Sequence, residues 1–238
     1  MNDRTALVTG ANKGIGKHIA RLLAAEGLTV YVGARDPERG RRAAEEIGAG
    51  ARPLLLDVTD PDGIARAAVQ VEHLDVLVNN AGISPSLAPP TDTPVEEYRR
   101  TYETNVFGVV AVTQAFLPAL RRSPHPRVVN VSSGTASLTW STGPNPQFTP
   151  GSGNGAAYRS SKAALNALTV LYAQTLAGDG FKVNALAPGL RATDLNPRAA
   201  AAGGDPAEAA RGAVRLALLP DDGPTGGFFS WDGTLVPW

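Results

Sequence analysis

The chain has 238 residues, a length that suits one α/β domain with a large core, and its 22 basic and 22 acidic side chains cancel, which argues against both a nucleic-acid partner and a polybasic membrane anchor. Cysteine is absent, which removes disulfides and thiolate catalysis, and the histidines His18, His73 and His125 stand in no metal-ligand spacing, so no metal is expected. No apolar run approaches the ~18 residues needed to span a bilayer and the N-terminus carries no cationic apolar signal segment, so a cytoplasmic protein with a small-molecule partner is expected.

Strands and helices alternate along the chain. Thr5 to Thr9 reads as a strand, Ile15 to Glu26 as a helix with Ile19, Leu22 and Leu23 on one face, and Thr29 to Gly33 as a second strand. A helix from Pro37 to Ile47 opens with proline and is followed by Gly48. Then come a strand from Pro53 to Leu56, a helix from about Asp62 to Val71, and the strand Val76 to Val78. A long helix from Val95 to Arg121, irregular early on, precedes the strand Arg127 to Val131 and the helix Tyr158 to Leu176. The strand Lys182 to Leu186, the helix Pro206 to Leu219 and a short strand near Gly227 to Ser230 complete the series. Seven strands joined by helices imply a Rossmann-type, doubly wound α/β fold: a parallel sheet covered on both faces, with ligands at the carboxyl ends of the strands.

Two stretches carry the chemistry. Thr9-Gly-Ala-Asn-Lys-Gly-Ile-Gly16 lies where the first strand turns into a helix. Gly10 permits the tight turn, Gly14 lets backbone approach an anion, and Gly16 lets the helix lie against the sheet, so a pyrophosphate is expected at the helix N-terminus. Tyr158-Arg-Ser-Ser-Lys162 puts a phenol and an ammonium four residues apart on one helical face. Tyrosine at a helix start is usually a packing residue and lysine one turn on a solvated charge, so the pair gains meaning from the glycine loop beside it.

Six segments in order resemble the short-chain dehydrogenase/reductase family: Thr9 to Gly16, Asn79-Asn80-Ala81-Gly82, Asn105 in Asn-Val-Phe-Gly, Val131-Ser132-Ser133, Tyr158-xxx-Lys162 and Pro188-Gly189. The resemblance covers nearly the whole chain. Asn12-Lys13, Gly33-Ala34-Arg35-Asp36 and Gly223 to Phe229 look most like the branch of carbonyl and menthone reductases. It implies a single NADP(H)-binding domain over residues 1–238, with a cleft insertion at about 138–155 and a short substrate loop at about 189–205.

The resemblance and charge together imply the cofactor. A carboxylate after the second strand would bond a ribose 2′-hydroxyl and repel a 2′-phosphate, whereas arginine pairs with the phosphate bidentately. Ala34 stands where NAD-binding members carry an acid, Arg35 follows, and Lys13 adds a cation in the glycine loop, so NADP(H) is expected; the bland alternative makes both ordinary solvated charges near Asp36 and Glu38. Asp57 and Val58 resemble the pair at the adenine edge, although Asp57 could equally be a turn residue. The cofactor set implied is Gly10, Asn12, Lys13, Gly14, Ile15, Gly16, Arg35, Asp57, Val58, Asn80, Ala81, Gly82, Tyr158, Lys162, Pro188, Gly189 and Thr193, with Asn79, Asn80 and Gly82 mainly structural and Arg191 unassigned.

Carbonyl reduction needs a proton donor and a second hydrogen bond at the oxygen that gains charge. Tyr158 is the expected donor. Bringing a phenol from pH ~10 to neutrality takes ~4 kcal/mol, about what one ammonium ~4 Å away supplies at an effective dielectric of ~20, so Lys162 nearly suffices. By resemblance Lys162 also bonds the nicotinamide ribose, Ser133 rather than Ser132 holds the substrate oxygen, and Asn105 keeps a proton-relaying water. The expected activity is reduction of a ketone or aldehyde by NADPH; the alternatives are an NADP-dependent alcohol dehydrogenase working oxidatively and a non-catalytic NADP(H)-sensing module.

One departure stands out. Ser133 and Tyr158 are 25 positions apart, about twice the family's usual separation, and the extra stretch Leu138 to Gly155 holds Trp140, Phe148, three prolines and four glycines. It reads equally as a cleft wall offering Trp140 and Phe148 to a substrate or as a passive surface insertion. A longer insertion there accompanies a monomeric state in the carbonyl reductase branch, so monomer and homo-oligomer both remain open. Leu190 to Asp205 resembles the substrate loop but is short and poor in aromatics, consistent with an open pocket.

Overall fold

A computed structural model describes residues 4–48, 50–145, 148, 153–195 and 203–238. Seven strands form one parallel sheet: β1 (Thr5–Val8), β2 (Thr29–Ala34), β3 (Ala51–Leu55), β4 (Val76–Asn79), β5 (Arg127–Val131), β6 (Lys182–Ala187) and β7 (Phe228–Ser230), in the order β3-β2-β1-β4-β5-β6-β7. The winding reverses between β1 and β4, and the loops leaving their carboxyl ends diverge there to open a crevice.

Alternation along the strands builds a core on each face. Ala6 and Val8 of β1, with Val76 and Val78 of β4, pack beneath α1 (Gly14–Ala25), α2 (Pro37–Ile47) and α8 (Pro206–Ala217), which contribute Ile19, Leu23, Ala43 and Ala213. Leu7 and Leu77, one residue out of phase, face α3 (Pro61–Val69), α5 (Gly108–Leu120) and α7 (Ala156–Thr175), represented by Ile64, Phe116 and Ala173. Central strands buried on both faces explain the unbroken apolar runs that mark them in the sequence.

The expected helix over 95–121 is three pieces: α4 (Val95–Tyr102), a π turn over Glu103–Phe107, and α5. The early irregularity is the π turn, and it carries Asn105. The stretch after β5 differs from its expectation. Leu138–Thr142 forms a short helix, α6, whose N-terminus is capped by Ser137 accepting from the Trp140 amide at 3.1 Å. Trp140 is buried: it packs with Ala185, Ala187, Phe228 and Val236, with Phe148 beside that cluster. The indole is sequestered because the chain's last residues cover it, Trp238 stacking on Phe228 at 5.3 Å while its carbonyl accepts from the Thr139 amide at 3.1 Å. The rest of the expected cleft insertion at 146, 147 and 149–152, and the expected substrate loop at 196–202, lie outside the described residues.

Candidate active site

The glycine loop is stitched to the end of β4. The Thr9 hydroxyl accepts from the amides of Asn80 and Ala81, each at 3.0 Å, and the Asn80 side chain donates to the Thr9 and Gly10 carbonyls at 2.9 and 3.3 Å. Gly10 (φ +63°) and Gly14 (φ +56°) occupy the left-handed region. A Cβ on Gly16 would stand 2.4 Å from Asn80 Nδ2 and 2.7 Å from the Gly10 carbonyl, so only glycine lets α1 start this close to the sheet. Lys13 precedes the helix in extended conformation, and no side chain caps the first turn. Glycine backbone, uncapped amides and the positive end of a helix dipole at the switch point make a donor set that fits a pyrophosphate. Asn12 and Ile15 are half-buried within the same loop.

The two cations assigned to phosphate recognition are not equivalent. Arg35 is exposed and has no ion-pair or hydrogen-bond partner among the described residues. Its acidic neighbours are engaged elsewhere: Asp36 caps α2, accepting from the Arg39 amide at 3.0 Å, and Glu38 pairs with Arg41 at 3.2 Å. Lys13, by contrast, pairs with Asp194 at 2.8 Å, a residue of the loop that follows β6, and Lys13 holds that carboxyl below its ordinary range. Both ends of this pair are exposed, so it is weak and exchangeable. Asp57 accepts from the amide and hydroxyl of Thr59 at 2.9 and 2.8 Å, the turn geometry that was one of its two expected readings. Val58 is buried, with Gly108 of α5 against its carbonyl.

Tyr158 and Lys162 share one face of α7, with Lys162 Nζ 5.9 Å from the centre of the phenol ring. Lys162 is buried and donates to the Val131 carbonyl at the end of β5 at 2.8 Å. A Cβ on Gly82 would sit 3.4 Å from Lys162 Nζ and 3.3 Å from Asn105 Oδ1, so the absent side chain leaves those two groups facing one small space. Asn105 is anchored by Ile83, whose amide donates to Oδ1 at 2.9 Å and whose carbonyl accepts from Nδ2 at 3.0 Å; Nδ2 also donates to Ser161 Oγ at 3.0 Å. Asn79 is held within the sheet, donating to Thr113 and Asn130 at 3.1 and 2.9 Å. Ser132 is buried and committed to Asn166 at 2.6 Å, whereas Ser133 is half-buried, shares a 2.9 Å hydrogen bond with the Thr135 hydroxyl and hydrogen-bonds the Tyr158 side chain.

Titration differs from expectation. Burial pushes the Tyr158 phenol above its ordinary value, and the Ser133 hydrogen bond pulls it only partway back. Burial also lowers Lys162, to about 8. The lysine therefore does not bring the phenol near neutrality here: its ammonium is aimed at the Val131 carbonyl, and the site's low polarity disfavours charge on both groups. At neutral pH the phenol carries its proton.

Across the crevice, β6 leads into Pro188 and Gly189 (φ +72°), and Thr193 Cγ2 lies 3.6 Å from where a Gly14 Cβ would be. Sequence reading missed two residues. Thr9 joins the glycine loop to β4, and its place at the motif's start was the available signal. Arg191 is buried against Glu208 and Trp231, partners 17 and 40 positions away that no local pattern reveals.

A doubly wound parallel sheet with an uncapped helix at its switch point, and a half-buried tyrosine next to a buried lysine beside it, is the framework of a nucleotide-dependent oxidoreductase. The model of the short chain dehydrogenase family matches residues 4–202. The chain belongs to this family of nicotinamide-dependent oxidoreductases and resembles its carbonyl and menthone reductase branch. It is 34% identical to (-)-isopiperitenone reductase of Mentha piperita over 315 aligned positions, covering 98% of each chain. It is also 34% identical to (+)-neomenthol dehydrogenase of Arabidopsis thaliana, covering 95% of this chain and 96% of that one. NADPH-bound carbonyl reductase from chicken fatty liver superposes with a TM-score of 0.83 at 28% identity, all of both chains being covered. Alignments longer than the 238 residues of this chain mean that these plant relatives carry segments it lacks.

Proposed function

We propose that the protein is an NADPH-dependent reductase of ketones or aldehydes, with Tyr158 as proton donor. The observation that carries this reading is the buried Lys162 on the Tyr158 face of α7, opening onto the same space as Asn105 beside Gly82. Burying a lysine without a carboxylate partner is costly, and a solvated or packing role would not require it.

When bound, the cofactor supplies a hydride to the carbonyl carbon. The chain's own residues handle the oxygen, which gains a negative charge as the carbon is reduced. Ser133 Oγ donates a hydrogen bond to it, and Tyr158 Oη transfers its proton, closing the balance as an alcohol. The raised phenol suits this direction, because reduction starts from the protonated form. Lys162 stabilises the phenolate left behind and has donors to spare for a ribose hydroxyl. Asn105 Nδ2 has spent both hydrogens, so the second lone pair of Oδ1, on the lysine side, is the acceptor for a water that returns the proton. The first turn of α1 holds the pyrophosphate, and unpaired Arg35 meets the 2′-phosphate. Gly10, Gly14, Gly16, Ala81, Gly82, Pro188, Gly189 and Thr193 shape the groove.

The reverse direction, oxidation of an alcohol, uses the same groups and begins from the phenolate, which burial disfavours. An NADP(H)-sensing module has no use for the Ser133–Tyr158–Lys162 set. The test is NADPH consumption against a panel of cyclic and acyclic ketones and aldehydes. Turnover by wild type that vanishes in Tyr158→Phe supports the proposal; NADPH binding without turnover of any carbonyl favours the sensor.

A further inference from the structure

Arg191 is unusual in this molecule: a buried guanidinium in a loop, held by three elements at once. Its Nη1 donates to Glu208 Oε2 in the first turn of α8 at 2.6 Å. Its Nε donates to the Pro188 carbonyl at 2.7 Å, and its guanidinium carbon lies 4.3 Å from the centre of the Trp231 ring, just past β7. Only 6% of the side chain is exposed. The backbone is fastened at the same point, since Gly204 donates to the Leu190 carbonyl and the Ala192 amide donates to the Gly204 carbonyl, both at 3.0 Å. A Cβ on Gly204 would fall 2.2 Å from Arg191 Nη1, so glycine is what lets the second strand of this bridge close over the guanidinium.

From this arrangement we infer that Arg191 is a positioning residue for the nicotinamide half of the cofactor, an inference that rests on the NADP(H) reading above. The Nε bond fixes the orientation of the Pro188 carbonyl, and with it the turn at Gly189, where a Cβ would meet Trp231 Cδ1 at 3.1 Å and Arg191 Nη2 at 3.4 Å. That turn carries Thr193 to the rim of the glycine loop. Arg191 itself touches neither cofactor nor substrate. It sets where the wall of the groove stands. The adenosine half is held from the opposite side, by α1 and Arg35, and lies outside its reach.

The asymmetry gives the test. Affinity for NADPH and for adenosine 2′,5′-bisphosphate, which lacks the nicotinamide, is measured by titration calorimetry on wild type and on Arg191→Met, Arg191→Lys and Glu208→Gln, with melting temperature and steady-state kinetics alongside. Arg191→Met is expected to weaken NADPH about tenfold, the scale of one lost charge-assisted hydrogen bond, and to leave the bisphosphate unchanged. Arg191→Lys regains the pairing with Glu208 but not the bond to Pro188, so it should recover melting temperature without recovering NADPH affinity. Glu208→Gln, whose altered side chain is more exposed, should fold and weaken NADPH about threefold by loosening the guanidinium. Equal weakening of both ligands, full recovery of NADPH affinity in the lysine variant, or unchanged NADPH affinity in Glu208→Gln and whichever arginine variants fold would overturn the inference. Failure of wild type to bind the bisphosphate would instead refute the NADP(H) reading.

Discussion

Replacing Lys162 by Met should make the protein more stable at neutral pH while removing its activity. Burial lowers the ammonium from 10.5 to about 8, so holding the charge in the folded state at pH 7 costs on the order of 3 kcal/mol. Methionine fills similar volume without charge but leaves the Val131 carbonyl without its 2.8 Å donor, a loss of ~1–3 kcal/mol. The variant should therefore gain roughly 1 kcal/mol, or about 2–4 °C in melting temperature for a chain of this size. The sign reverses with pH. A base whose folded value is depressed contributes nothing adverse above its unfolded value of 10.5; the destabilisation grows as pH falls below that value and is fully present below about 8. Between those limits the unfolded chain holds the extra proton, so wild type gains on the variant as pH rises. Above pH 10.5 wild type should be the more stable, by the hydrogen bond that a neutral amine still donates. Urea denaturation of both proteins at pH 7, 9 and 10.5 measures the gap. A gap of constant sign and size across that range would show that Lys162 is not held as a costly buried charge.

Tyr158→Phe should lower carbonyl reduction by about 10²–10⁴-fold while NADPH binding, followed by fluorescence titration, stays within a factor of a few. Arg35→Asp should move the NADPH to NADH preference towards NADH, because a carboxylate repels the 2′-phosphate that the free guanidinium attracts; kcat/KM ratios for the two cofactors measure it. Gly16→Ala forces α1 away from the Gly10 carbonyl, so thermal denaturation should show a loss of ~1–3 kcal/mol and cofactor affinity should fall with it.

What could be read in the sequence was whatever a residue does with neighbours along the chain. The glycine loop declares itself because Gly10, Gly14 and Gly16 each answer a local demand, two for positive φ and one for a close approach whose partner, Asn80, sits in another recognisable motif. The Tyr158–Lys162 pairing follows from helical spacing alone, and the break in the helix near Asn105 shows in its pattern. Choosing Ser133 over Ser132 rested on family resemblance, and the buried bond from Ser132 to Asn166 supplies a physical reason for it.

Where sequence reading went astray, the deciding partner came from elsewhere in the fold. Trp140 read equally as a surface for substrate and as part of a passive insertion, because nothing nearby announces that Phe228 and Val236 will pack against it from the other end of the chain, with Trp238 stacked on Phe228. The phenol looked acidified because a Tyr-xxx-Lys spacing fixes proximity but not the dielectric, nor the direction in which the ammonium points. Once the Val131 carbonyl takes the ammonium's hydrogen bond, burial decides both titrations. Lys13 extends the same reasoning. Its pairing with Asp194 joins the glycine loop to the loop after β6, so a 2′-phosphate that drew Lys13 away would also release Asp194. Both side chains are exposed, so the exchange is nearly free, and cofactor charge would then be felt at the loop that follows Pro188 and Gly189.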